Sequence, residues 1–420
     1  MAIEDNDMRD RETFAGVSRF WYSKASYRNP HIGRLYHHLA ILSRPFSLQQ
    51  LSFYTRSLTS ITPFQSARGT VMNLFNPILD GRAVSSSRTT SFESRIIKAH
   101  AMQFRSLPQA EHRIIVGEIR NGSMTDHVLK VTSKFREQGV YLATANIAAV
   151  FEYGVLRSDG VPKAAIWLAL CDEILHDQSL HDSTQSPSIT TPDATEQSEP
   201  RPKVAPRTGL SVDDLTPKEL EASSSNIFDA ASLWSVCFST ALQFPRNPNY
   251  HPFLHVMFVF LWSLTGVARG ITYVEGHVPW DDVCFFLNTF SKSEATEAKV
   301  EGEDFPQPDE GVGRPLPEDY VLRGQLYSWC YFPDTWFSKA KVDDEERVLE
   351  LPSMVAPRLE RIRWLGARIA AVSLIKPLHS ALLPCHCYHL RCPSSAIFSF
   401  TLLSGFMIDL CIYSSAVVPR

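Results

Sequence analysis

The sequence predicts an all-α protein, and three observations carry that expectation. Apolar residues recur at three- and four-residue spacing, the periodic segments are long enough for several turns, and no stretch alternates with period two. Trp21 and Ala25 close a first helix that stops before Asn29-Pro30, because proline lacks an amide proton and pushes the residue before it out of the helical region. Gly33 and Tyr36 open the next helix, with Leu35, Leu39 and Leu42 near helical spacing. Leu48, Leu51, Tyr54 and Leu58 line a further stripe, which Pro63 ends. Pro30 and Pro63 lie 33 residues apart, close to the period of about 34 that marks TPR helix pairs. Residues 1–80 are therefore expected to form TPR-like helix pairs. Such a pair cannot bury its apolar face alone. Trp21–Phe75 is expected to leave an apolar face open, with Met1–Gly16 supplying at most one partial helix.

Helical patterning continues at 92–107 and 112–120 and strengthens over Lys130–Tyr153, whose second half is nearly all apolar. Val161–His176 is a further candidate. Asp177–Asn226 is rich in Ser, Thr, Pro, Gln and Glu and reads as a disordered linker. Helical pattern resumes at Ile227–Leu242. His251–Val267 is strongly apolar but has only about 16 suitable residues against the roughly 20 that a bilayer requires, so a buried core helix is expected. Pro279-Trp280 starts a short helix through Phe290, Ser291–Pro317 reads as a second polar loop, and Val348–Ala371 begins a final amphipathic helix. The chain thus divides into 1–80, a helical region 81–371 interrupted at 177–226 and 291–317, and an atypical tail 372–420.

Composition is ordinary, at 44% hydrophobic with a net charge of −4, which excludes a wholly disordered or wholly nucleic-acid-coated chain. The charges are nevertheless segregated. From Thr13 to Leu79 there is no Asp or Glu, while Arg19, Lys24, Arg28, Arg34, Arg44, Arg56 and Arg68 are all positive. His31, His37 and His38 are expected to add charge at lower pH. A one-signed patch raises the local concentration of anions and points to a nucleic-acid backbone or a phosphorylated partner. The candidate phosphate contacts are Lys24, Arg28, Arg34, Arg56 and Arg68. Two plainer readings stand beside this one: a solvated helix face, and structural pairing of Arg56 and Arg68 within the helices.

No catalytic constellation emerges. Phosphate-loop, nucleophile-elbow and paired-histidine zinc motifs are all missing from the sequence. Asp281-Asp282 and Asp343-Asp344 sit at polar helix starts, where they complement the helix dipole. Cys171, Cys237, Cys284 and Cys330 are widely spaced in apolar contexts, as buried free thiols are, which implies a reducing compartment. The polar start MAIEDNDMRDRE reads as neither signal nor transit peptide. The run Cys385-His386-Cys387-Tyr388-His389-Leu390-Arg391-Cys392 supplies a single knuckle where zinc sites pair two. No metal, cofactor or small-molecule substrate is expected. Ser395–Val418, with Asp409 its lone charge, hints at a membrane helix that its Ser, Gly, Tyr and Cys content dilutes.

Trp21–Phe75 resembles a signature of the ever-shorter-telomere and SMG family. The matching positions are Tyr22, Pro30, Gly33, Tyr36, Leu39-Ala40-Ile41-Leu42, an aromatic place filled by Phe53 or Tyr54, Arg56-Ser57-Leu58, Pro63-Phe64, Ala67 and Arg68. Gly139–Gly154, Val278-Pro279-Trp280 with Phe286-Leu287-Asn288, Pro315–Arg323 and Tyr331–Phe337 also resemble fungal members, so the likeness covers about residues 1–371. It implies a fragment of a fourteen-three-three-like TPR domain followed by a helical-hairpin domain of the Est-one DNA/RNA-binding type. It further implies a non-enzymatic scaffold of nonsense-mediated mRNA decay or telomere maintenance, in nucleus and cytoplasm, with single-stranded RNA or DNA and proteins of those complexes as partners. An adaptor for peptides or phosphopeptides is the alternative. The sequence departs from the family twice. The helices whose basic residues grip phosphoserine would precede Met1, and the likeness ends near Ala371, so 372–420 is expected to be a gene-model artefact that packs poorly.

Overall fold

The computed structural model describes residues 8–44, 46–81, 91–158, 160, 162–172, 174, 217–267, 270–290, 299–308, 313–339, 342–343 and 346–375, with three strand segments beyond them. Up to residue 375 the described elements are helices, as the periodicity predicts. Helix α1 (Met8–Arg28) packs along α2 (Gly33–Leu42), tied by Arg19 Nη2 donating to Leu42 O at 2.8 Å and by the stacked rings of Tyr22 and His38. Helix α2 in turn folds against α3 (Ser47–Thr59). Their crossing explains Gly33, because a β-carbon there would lie 2.4 Å from Ser57 O. The Gly33 amide donates to Thr62 O, and Thr62 N donates to His31 O, both at 2.9 Å. The loops after α1 and α3 are thereby stitched together.

Short helices α4 (Ala67–Thr70) and α5 (Met72–Leu79) lead to α6 (Phe92–Phe104), α7 (Gln109–Glu118) and α8 (Met124–Val131). Helix α9 (Phe135–Val150) is the hub, packing on α3, α11 (Pro217–Leu242) and α12 (His251–Gly266). Ser52 and Thr144 hydroxyls bond at 2.8 Å across the α3–α9 contact. A helix at 165–172 (α10) is buried over 165–170, with Trp167 against Phe151. Helix α12 is buried almost throughout, in keeping with a core helix, and no described helix is long and apolar enough to cross a membrane. Helix α13 (Trp280–Asn288), a helical turn at 299–301 (α14), α15 (Pro317–Leu322), α16 (Trp336–Lys339) and α17 (Val355–Ile375) complete the body. Buried apolar side chains from Ala40 to Ile369 form one continuous cluster.

The structure differs from the sequence reading in three places. Helix α11 begins at Pro217, so Pro217–Asn226 leaves the predicted linker and becomes the first turns of a helix, with proline at a position that needs no amide donor. Residues 177–216 lie outside the described residues. Within the second loop, Val300 and Leu316 are buried and Phe305 packs on the core; isolated apolar residues among acids carry no period for a sequence reading to detect. In the tail, Leu390–Arg391 (β1), Ile397–Thr401 (β2) and Asp409–Tyr413 (β3) pair as an antiparallel meander. The cysteine-rich run around Cys385, the burial of Phe398, Phe400, Leu403 and Phe406, and with them the fate of the artefact reading lie outside the described residues and side chains.

On α1, Phe14, Val17, Phe20 and Trp21 are exposed, Trp21 by 60%; of these only Trp21 lies in the stretch Trp21–Phe75 for which an open face is expected. Met8–Gly16 forms the first half of that helix.

Two buried polar clusters make testable stability statements. In the first, His100 donates or accepts at both ring nitrogens, 2.8 Å from Tyr153 Oη and 3.2 Å from Asn146 Oδ1. Burial drives its pKa down to about 3, and that of His112 to about 4. Both rings stay neutral in the fold while the unfolded chain takes up protons below the ordinary value of 6.5. Their contribution to stability is therefore complete above that value and is lost as pH falls toward the folded values. Urea midpoints are expected to drop between about pH 7 and about pH 5, and His112→Phe to flatten that dependence. In the second cluster Arg361 Nη1 donates to both oxygens of Asp319, at 2.9 and 2.7 Å, with both residues buried. Arg361→Met alone is expected to lower unfolding free energy by roughly 3–5 kcal/mol, whereas adding Asp319→Asn recovers part of the loss. Denaturant titration of the singles and the double variant measures the coupling.

Candidate phosphate-binding cavity

The last two turns of α1 place Lys24, Tyr27 and Arg28 on one face, at helical spacing of three and four. Pro30 stops the helix there, so the three side chains stand at its carbonyl end, where positive charge is favoured. Opposite them, α15 is six residues long and turns its first acids inward: Glu318 and Asp319 are buried in the core. Tyr320, the next residue, faces the other way, with its ring centre 5.7 Å from that of Tyr27 and 5.5 Å from that of Phe337.

Arg323 ends α15 and reaches across to α1, donating from Nη1 to Tyr27 O at 2.9 Å while its guanidinium lies 4.5 Å from the Phe337 ring centre. Gly324 makes this approach feasible. Its φ is +82°, and a β-carbon would sit 2.1 Å from Pro30 O, so only glycine lets the chain pass the α1–α2 loop this closely. Arg347, in the 3-10 turn Glu346–Val348, lies 4.7 Å from the Tyr27 ring centre and 5.4 Å from that of Tyr320.

Together Lys24, Tyr27, Arg28, Tyr320, Arg323, Phe337 and Arg347 enclose a cavity of about 310 Å³. Four of these are cations, three are aromatic, and none is acidic. The positive field shows in its neighbours. Burial first, and then the Arg323 guanidinium, hold His31 below the ordinary imidazole range. Burial raises the Tyr320 phenol while Arg347 pulls against that shift. On the outward side the Lys24 ammonium lies 5.7 Å and 5.9 Å from the ring centres of Phe20 and Trp21. Lys24 thus links the cavity to the exposed rings of α1.

Of the five residues expected from sequence, the structure brings Lys24 and Arg28 into this cavity. Arg34 is exposed on α2, 5.9 Å from the Phe64 ring centre. Arg56 is only 4% exposed and lies 4.0 Å from the centre of the Tyr36 ring. It packs rather than presenting its charge to a ligand. Arg68 is half-buried, donates to Tyr153 O at 2.8 Å and covers Phe104, and burial lowers its pKa. These two thus follow the structural alternative stated for them. His37 and His38 are likewise held below the ordinary range by burial, so the histidines retain neutrality to lower pH than the sequence reading supposed. Arg323 and Arg347 were missed. Arg323 belongs to the stretch carrying the family resemblance, whereas Arg347 follows the acidic run at 343–346, which masks it in any charge plot.

A second constellation has the look of catalytic machinery. His255 Nδ1 is 2.9 Å from Glu318 Oε1, and His255 Nε2 is 2.6 Å from Tyr331 Oη. All three residues are buried and His255 and Glu318 line neither described cavity; the arrangement ties α12 to α15. Among the described residues no group of three or more His, Cys, Asp or Glu is placed to hold a metal ion.

Comparison of the chain with models of the known protein families finds no match, and comparison with curated proteins finds none either.

The cavity depends on Gly324. Gly324→Ala is expected to force Arg323 away from Tyr27 and to destabilise the protein by roughly 1–3 kcal/mol, from strain at positive φ and collision with Pro30. Thermal unfolding of this variant beside Gly276→Ala, where a β-carbon meets open space, checks it.

Proposed function

We propose that the protein is a non-enzymatic scaffold that holds single-stranded RNA or DNA, within the assemblies of mRNA decay or telomere maintenance, in nucleus and cytoplasm. The observation that carries the reading is the cavity of Lys24, Arg28, Arg323 and Arg347, with no acid among its described lining residues, whose Lys24 also lies near the exposed rings of Phe20 and Trp21. Cations that follow a phosphate backbone, beside rings on which bases stack, are what a single strand requires. The resemblance of Trp21–Phe75 to the ever-shorter-telomere and SMG signature, with its TPR-like helix pairs, supports the same reading and supplies the biological setting.

Binding of fluorescent single-stranded oligonucleotides, followed by anisotropy across a salt series, tests it. Log affinity is expected to fall linearly with log salt, and Lys24→Ala, Arg28→Ala and Arg347→Ala each to flatten the slope by roughly one unit. Trp21→Ala is expected to weaken binding by about 1–3 kcal/mol with the slope kept. Salt-independent binding, or binding untouched by the three cation variants, defeats the reading. A phosphopeptide that binds the wild type but not these variants, with no oligonucleotide bound, selects the adaptor reading in its place.

A further inference from the structure

A second cavity, of about 410 Å³, opens between α12, α17 and the segments at 302–305 and 330–334. Five of its lining residues are aromatic: Trp262, Phe305, Tyr331, Phe332 and Trp364. Their ring centres are close, with Tyr331 at 4.6 Å from Phe332, 5.4 Å from Phe305 and 5.9 Å from Trp262, and Trp364 at 6.1 Å from Trp262. None of these contacts is a parallel stack; every one is tilted or edge-on, so the rings form walls rather than a pile.

The walls are held from behind. Tyr331 Oη is taken by His255 at 2.6 Å, and Trp364 Nε1 donates to Gly302 O at 2.9 Å. Arg361 covers Phe305 at 4.8 Å from its ring centre, and Phe305 itself packs 5.0 Å from Trp336. The polar handles of Tyr331 and Trp364 are thus spent on the protein. Among the described lining residues Glu303, Asp304 and Asp334 stand against one cation, Arg368, whose Nη2 donates to Glu301 O. Glu303, Asp304 and Asp334 are exposed. Neither Glu303 nor Asp304 has an ion pair or hydrogen bond among the described residues.

Aromatic faces attract cations electrostatically, and a ring-walled pocket discriminates in favour of ammonium groups whose methyls spread the charge and lower the cost of leaving water. A net acidic rim adds long-range attraction of the same sign. We infer that this cavity is a binding site for a methylated ammonium cation, either the side chain of a methylated lysine on a partner or a free quaternary ammonium compound. It lies on other elements than the basic cavity and does not depend on the nucleic-acid reading.

The full-length protein supplies its own reporter, because Cys330 lines the cavity and is exposed. The alkylation rate of Cys330, mapped by peptide mass with Cys284 as internal reference, is measured with tetramethylammonium, with choline, and with choline's uncharged carbon isostere. Peptides carrying trimethyllysine or plain lysine complete the series, and affinities are checked by calorimetry. The cations are expected to slow alkylation of Cys330 and the isostere to leave it unchanged. Glu303→Lys and Asp304→Lys, both at exposed positions, are expected to weaken cation binding by roughly tenfold or more, with thermal unfolding of each variant as the control for folding. Trp262→Ala is expected to abolish it, with Trp262→Phe restoring a part. A trimethyllysine peptide that binds far better than choline assigns the site to a protein partner, and the reverse order assigns it to a free ammonium compound. Equal protection by the uncharged isostere, equal binding of the unmethylated peptide, indifference to both charge reversals, or no protection by any cation overturns the inference.

Discussion

Two consecutive acids on a six-residue helix decide how the C-terminal half of this protein is assembled. Glu318 and Asp319 are both buried, and successive residues on a helix point about 100° apart. They cannot share one partner. Glu318 takes Arg358 through two bonds, at 2.6 and 3.0 Å, while Asp319 takes Arg361. Those arginines are three residues apart on one face of α17. Removing two carboxylates and two guanidinium groups from water is costly, and such pairs roughly break even against apolar packing. What justifies the arrangement is completeness. Arg358 also donates twice to Glu350, at 2.7 and 2.8 Å, and Asp319 receives the Leu316 amide and Trp336 Nε1. Burial alone pushes the Glu318 carboxyl up, but Arg358 and His255 outweigh it and hold it well below the usual carboxylate range. A register shift of one residue would leave four buried charges without partners, so the cluster specifies one alignment of α15 on α17.

That alignment sets both cavities. With Glu318 and Asp319 turned inward, the next residue must turn outward, and Tyr320 becomes a wall of the basic cavity beside Arg323. On the far side Arg361 holds Phe305 and Trp336 against its guanidinium, and Trp364 follows three residues later on α17. The same clamp therefore aims aromatic surface at one site and turns Glu318 and Asp319 away from the other.

The legible part of the fold is the part with a period. Leu48, Leu51, Tyr54 and Leu58 are all buried on α3, and the apolar run from His251 is buried as α12; for both, hydrophobic spacing is the physical cause and the visible signal at once. The basic cavity was half legible. Lys24 and Arg28 share a helix face that the spacing reveals, but Arg323 and Arg347 come from roughly three hundred residues away, and no local pattern encodes that meeting. Arg56 misled for a related reason. A charge plot cannot tell a cation that faces water from one that covers a tyrosine ring. The acidic clamp was invisible too, since Glu318-Asp319 at a helix start has the composition of an ordinary solvated cap.

The acid-free stretch from Thr13 to Leu79 poses a folding problem that the structure answers mainly with rings and carbonyls, although Glu12 stands 4.0 Å from Arg19. Arg56 lies over Tyr36, Arg68 over Phe104 and Arg34 beside Phe64, while Arg19 and Arg68 donate to backbone carbonyls. Rings and carbonyls are acceptors that disperse a cation's charge without cancelling it, so the segment packs and still keeps a positive field. Had the same arginines been paired with Asp or Glu, the α1–α3 region would be equally well packed and electrically silent. Segregation of charge is thus a property of how the core is made. Cations at the N-terminal end are held by π-systems that leave their charge in place, and acids are drawn inward by Arg358 and Arg361. One scaffold then presents a positive cavity and an acidic, aromatic one on separate sets of elements, each open to a ligand that the other would repel.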